Sequence, residues 1–260
     1  MKLKFIVADL PYSAGSMADF LHLSDTMTGE MYKGMGSSIL TLYPELDASD
    51  LKNLSQAQTA NYIQEKLREK YEALLPQMSE KAQMYQTRWD DCEKEIERSL
   101  GDIFHIDMAA CFNDMVGRVN MNPICPRFLE DSSFDIIYLY SDKGAVCVSL
   151  HEITHFVWFK VWQNLFHDSP EFYEQPHLPW ILSELAIDAI LTDVRLNKFI
   201  WNEQIAKQPA YPEFYEINTR RGKLIDVMRE IYKNSSIEGF MQKGYDFCKE
   251  NKGLFEKLSA

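Results

Sequence analysis

From Val148 to Phe159 the chain carries one charged side chain, Glu152, in an otherwise apolar stretch that also holds His151 and His155. Such a run fits a helix buried over most of its surface. Two imidazoles and a carboxylate inside that helix need partners, because burying them unpaired costs on the order of several kcal/mol. Their spacing supplies a partner. Residues four apart share a helix face, about 40° apart around the axis, so His151 and His155 can bind one metal ion. Glu152 stands beside the first of them, where its carboxylate can take a proton from a metal-activated water. The pentapeptide is an H-E-x-x-H motif and predicts a zinc-dependent hydrolase site. It lies on a helix expected from about Lys143 to Phe166, capped by Ser141 or Asp142. The bland alternative is a pair of core histidines hydrogen-bonded to backbone or carboxylate.

A catalytic zinc holds three protein ligands and keeps one position for water. The third ligand is expected downstream, at Glu184. Pro179 suits the first turn of a helix, and Leu182, Leu185, Ala186, Ala189 and Ile190 recur at helical spacing. Glu184 and Asp188, four apart, share a face of that helix. Glu184 is then placed to bind the metal, and Asp188 to accept a hydrogen bond from the ring N–H of a ligand histidine.

The pairing of H-E-x-x-H with a downstream E-x-x-x-D resembles the gluzincin group of zinc metallopeptidases, typified by thermolysin, over roughly residues 136 to 190. The resemblance implies a zincin-like domain in which His151, His155 and Glu184 bind zinc and Glu152 is the general base. It also implies that Asp188 supports the first histidine. Two departures separate the chain from the thermolysin family proper. Ser183 stands where those enzymes usually have asparagine, and the 29 positions from His155 to Glu184 exceed their spacer. Metzincins are disfavoured, because Phe159-Lys160-Val161 occupies the region where they carry a glycine and a third histidine.

At 260 residues with 46% hydrophobic content, the chain can fill the core of one zincin-like catalytic domain. Its expected lobes are 1–166, with the sheet and zinc helix, and 167–260, helical and carrying the third ligand. A formal charge of −12 disfavours nucleic acid and anionic membrane surfaces. No apolar segment approaches the length of a membrane span. Cys92, Cys111, Cys125, Cys147 and Cys248 are odd in number and lack a C-x-x-C pair, which suits reduced thiols and a cytoplasmic location. The glycosylation sequons at Asn53 and Asn234 are then incidental.

Along the chain, residues 1–9 read as a first strand. Ser55 and Gln58 form a capping box for a helix to about residue 75, after which Pro76 is expected to start another. Asp90, Asp91, Glu93 and Glu95 fit a solvated helix face better than a metal site. Gly29, Gly34 and Gly36 lack the Lys-Ser/Thr of a phosphate loop, so 27–38 reads as a turn region. Phe134 to Tyr140 is the clearest strand. Two roles fit it: an edge that pairs with extended substrate, or an ordinary core strand. For the oxyanion of a tetrahedral intermediate the candidates are His177 and Tyr173, with Tyr211, Tyr215, Arg220 and Arg221 as rivals. Beyond Pro212 two helices are expected, with Leu224, Val227, Met228, Ile231 and Tyr232 on one face.

These readings converge on an α+β, mainly helical, zincin-like fold with a small sheet, Zn2+ as cofactor, and peptide or protein substrates. Two other functions use the same residues. One is hydrolysis of a non-peptide amide or ester. The other is a catalytically inactive zincin-like binding protein, in which a residue such as His177 fills the water position.

Overall fold

Leu3 and Phe5 are buried while Lys4 and Ile6 are exposed, the alternation of a strand packed on one face, β1 (Leu3–Val7). The structure is a computed structural model that describes residues 1–26, 30–201 and 208–255. Helices α1 (Leu10–Thr26), α2 (Glu30–Leu42), α3 (Ala48–Leu51), α4 (Gln56–Phe104) and α5 (Met108–Cys111) follow β1. Next come β2 (Met115–Asn120), β3 (Arg127–Phe128), β4 (Ser133–Ile137) and α6 (Asp142–Phe166). The rest is α7 (Leu178–Leu191), α8 (Pro212–Glu216), the hairpin β5 (Asn218–Thr219) and β6 (Gly222–Lys223), α9 (Leu224–Lys233), α10 (Ile237–Glu250) and α11 (Lys252–Phe255). The class is α+β, mainly helical, with a small mixed sheet. Among the described residues no helix is long and apolar enough to cross a membrane.

Contacts divide the chain within α4 and within α6. Residues 2–91 and 114–145 form a sheet-bearing unit; residues 92–113 and those from Val146 onward form a helical one. The H-E-x-x-H segment therefore groups with the residues after it, whereas the sequence reading placed it with the lobe before it.

In the sheet-bearing unit the strand order is β1-β2-β4-β3, with β1, β2 and β4 parallel and β3 antiparallel. All five residues of β4 are buried, and the strand lies inside the sheet. Of the two roles considered for it, the structure gives it the core one. Gly117 lies opposite Phe5 in the β1–β2 register, and a Cβ there would fall 2.7 Å from the Phe5 ring, so this position admits no side chain without a shift. The outer edge of β1 is closed by a side chain. Gln86 of α4 accepts from the Phe5 N–H at 2.9 Å and donates to the Leu3 carbonyl at 3.1 Å.

Asp135 of β4 is fully buried. Tyr12 and Ser16 of α1 donate to its two oxygens at 2.9 and 2.8 Å, and Asn122 donates to Ser16 Oγ at 2.8 Å. Burial raises the Asp135 pKa, opposed by the bonds from Ser16 and Tyr12 and by the charge of Arg118.

Two expectations are corrected here. Pro76 lies inside α4, which runs unbroken from Gln56 to Phe104. A proline costs the helix one i→i−4 bond and a clash. Ile63 and Leu67 before it, and Tyr85 and Trp89 after it, are fully buried, and that packing carries the helix through. The start is as read: the Ser55 N–H donates to Gln58 Oε1 at 2.8 Å, and the Gln58 N–H to Ser55 Oγ at 3.3 Å. Gly34 and Gly36 are likewise helical, within α2, where a turn region was expected; residues 27–29 of that segment lie outside the described residues. Packing of α2 against α1, with Ile39 fully buried, outweighs the roughly 1 kcal/mol each glycine costs a helix.

Candidate metal centre

The helical unit is built on two helices with almost no polar face. In α6 every residue from Glu152 to Phe159 is buried, and in α7 every residue from Pro179 to Leu191. Ser141 starts α6 by accepting from the Gly144 N–H at 3.0 Å. His167, in left-handed conformation with φ of 55°, ends it. Aromatic contacts set α6 against α10: Trp158 meets Phe240 at 5.8 Å between ring centroids, and Trp162 meets Tyr245 at 5.2 Å. In turn α10 packs on α7, where Gly244 lets Leu182 approach so closely that a Cβ would lie 3.0 Å from it. Pro179 stands in the first turn of α7, as expected, with His177 at its N-cap.

This packing brings together the three residues that the sequence singled out as ligands. His155 Nε2 lies 3.2 Å from His151 Nε2 and 3.4 Å from Glu184 Oε2, and His151 Nε2 lies 3.9 Å from the same carboxylate oxygen. Among the described residues this is the one group of three or more such side chains whose donor atoms converge. His155 and Glu184 are buried, while the His151 side chain keeps 24% of its exposure, so the cluster is open on that side. Glu152 Oε1 stands 4.0 Å from His151 Nε2.

The donor set and its spacing fit zinc. With bonds of about 2.0–2.1 Å, neighbouring ligands of a tetrahedral site lie roughly 3.3 Å apart. Two of the three separations match and the third is somewhat longer. Two imidazole nitrogens and one carboxylate oxygen leave a fourth position for water, the composition of a catalytic site.

Asp188, one turn beyond Glu184, is buried, and its oxygens are held from other elements. Arg229 of α9 donates to both of them, Nε at 2.6 Å and a terminal nitrogen at 2.9 Å, and Tyr215 of α8 donates at 2.5 Å. Burial and this bond push the Tyr215 hydroxyl pKa well up, and the carboxylate raises that of Arg229. The sequence predicts a ligand histidine as the partner of Asp188 and an oxyanion role for Tyr215; for Arg229 it predicts no role. The one available signal was weak: an arginine directly after Met228, inside the run whose Leu224, Val227, Met228 and Ile231 are buried.

The candidates for an oxyanion donor have the following neighbours. Tyr173 donates to Asp168 Oδ1 at 2.8 Å and stacks on Phe159 at 4.6 Å. His177 packs edge-on against Phe172, with 5.1 Å between ring centroids, and its nitrogens are not among the converging donors. Tyr211 lies against Trp180, and Arg221 pairs with Glu230 at 3.6 Å. Arg220 and Arg221 border a separate cavity beside Asn251. No family model, curated protein or solved structure matches this chain.

Proposed function

We propose that the chain is a zincin-like, zinc-dependent metallopeptidase that hydrolyses peptide bonds with Glu152 as general base. The observation that carries this reading is the convergence of His151, His155 and Glu184. Two helices place their donor atoms 3.2 to 3.9 Å apart in a largely buried site. His151, His155 and Glu184 would hold zinc, which would supply a bound water of pKa ~7 and Lewis acidity toward the scissile carbonyl. Glu152 takes the proton from the attacking water and passes it to the leaving amine. Its neighbourhood to His151 suits that task. Asp188 anchors α7 one turn beyond Glu184, and the clamp of Arg229 and Tyr215 fixes the height and rotation of the carboxylate ligand.

The deciding measurement is metal content by elemental analysis of wild type and His155→Ala, followed by cleavage of a peptide library and of amide and ester panels. About one zinc per chain, lost in His155→Ala, together with peptide cleavage, supports the proposal. A chelator-free protein without metal, or one holding iron in its place, overturns it. Zinc with ester or non-peptide amide cleavage alone would leave the metal site and replace the substrate class.

A further inference from the structure

A second cavity in the helical unit, of about 530 Å³, lies where the connector after α6 meets the first turn of α7 and the end of α10. None of the converging metal donors lines it. Its volume falls within the range of small-molecule sites, roughly 300–1,000 Å³ with mainly apolar walls. Phe172, Tyr245 and Phe255 line it with three aromatic side chains, Pro176, Leu178, Pro179 and Ile181 add apolar wall, and His177 adds an imidazole. Phe172 is 38% exposed, a large apolar side chain left at the rim.

Two opposite charges border the same space, Asp168 and Lys252. Asp168 is fixed in place, since Trp162 Nε1 donates to one oxygen at 2.9 Å and Tyr173 to the other at 2.8 Å. Both donors are neutral groups, and each oxygen retains a lone pair for a further donor. Lys252, exposed at the start of α11, adds a cation with three donors. A purely anionic ligand would meet Asp168, and a purely cationic one would meet Lys252. A ligand carrying both charges and an aromatic ring satisfies all three features at once.

We propose that this cavity binds a zwitterionic aromatic amino acid, its ring among Phe172, Tyr245 and Phe255, its ammonium group toward Asp168 and its carboxylate toward Lys252. The site is separate from the metal centre and needs neither metal nor turnover. It is tested by isothermal titration of the full chain with L-phenylalanine, phenylacetate and phenethylamine, with and without chelator. Saturable binding of phenylalanine is expected, with each single-charge analogue about tenfold weaker, because each lacks one charge-assisted contact. Lys252→Ala, an exposed substitution, is expected to weaken phenylalanine about tenfold and leave phenethylamine unchanged. Phe172→Ala is expected to weaken all three. No saturable binding of phenylalanine, equal binding by either analogue, or indifference to Lys252→Ala overturns the proposal. Binding abolished by chelator places the ligand at the metal centre and overturns it as well. None of these results depends on whether the chain cleaves peptides.

Discussion

Two buried carboxylates, one in each unit, are solved in opposite ways. Asp135 is fully enclosed, and its oxygens are answered by the hydroxyls of Tyr12 and Ser16 and by the nearby charge of Arg118. Glu184 is buried to the same degree, yet what it faces is a pair of imidazole nitrogens at 3.4 and 3.9 Å. The hydroxyls of Tyr12 and Ser16 give each Asp135 oxygen a donor that serves only as a hydrogen-bond partner. Imidazole nitrogens are donors or acceptors depending on the tautomer, and both kinds of group are metal ligands. A buried acid is therefore weak evidence of a functional site; the chemistry of its partners separates a structural network from a metal centre. Asp188 stands between the two. Its oxygens take donors from Tyr215 and Arg229, much as those of Asp135 do from Tyr12 and Ser16, but it sits one turn from Glu184.

The sharpest way to break this contrast is at Glu152, the proposed general base. Glu152→Gln should lower peptide turnover by about 10²–10⁴-fold while keeping full zinc content, measured side by side. Loss of zinc together with activity would make Glu152 structural and the two carboxylate regions alike. On the other side, Asp135→Ala should cost about 3 kcal/mol in urea unfolding, since Tyr12 and Ser16 lose a buried acceptor, and should leave zinc content unchanged.

Arg229→Met tests the intermediate case. It should destabilise by about 2 kcal/mol, less than a fully buried pair because the guanidinium is 41% exposed. Zinc affinity should also fall roughly tenfold, the effect of loosening a residue that supports a ligand. Unchanged zinc affinity in a folded Arg229→Met protein would sever Asp188 from the metal site and join it to the Asp135 class. Tyr215→Phe should cost about 1 kcal/mol in unfolding, one donor among three.

The smallest expected effect is in pH dependence. The folded pKa of Asp135 is raised, so its contribution is fully present below the ordinary carboxylate pKa and is lost as pH rises through the folded value. Asp193 shows the reverse, its pKa lowered to about 2 mainly by the Arg195 bond, so its contribution is present above the ordinary value and lost as pH falls toward 2. The stability of wild type relative to Asp135→Asn should therefore increase as pH falls through the acid range. Relative to Asp193→Asn it should decrease. Parallel unfolding curves at stepped pH would show whether the two differences run in opposite directions.

What was legible in the sequence was local. The His151/His155 spacing, Pro179 in the first turn of α7 and the Ser55/Gln58 box each depend on residues within one or two helical turns, and all were read correctly as geometry. Glu184 was reached because a helix fixes which neighbours share its face. Arg229 and Tyr215 lie 41 and 27 positions from Asp188, and nothing in the spacing of either announces the contact. The position of β4 inside the sheet was equally hidden, since it is set by pairing with β2 and β3, which no local pattern announces. Pro76 and the glycines of α2 misled for a related reason. Their intrinsic preferences are worth a few kcal/mol at most, and burial of distant apolar residues decided the outcome.

The amide of Gln86 acts toward β1 as a one-residue imitation of a neighbouring strand, offering one acceptor and one donor where a peptide group would. Strand recruitment needs a row of vacant backbone groups, and here the central pair is already occupied by a side chain anchored on a 49-residue helix. The sheet is thereby finished on that side at four strands. Growth by templating, whether from a second copy or from an extended peptide, would first have to evict a glutamine that the helix holds in register.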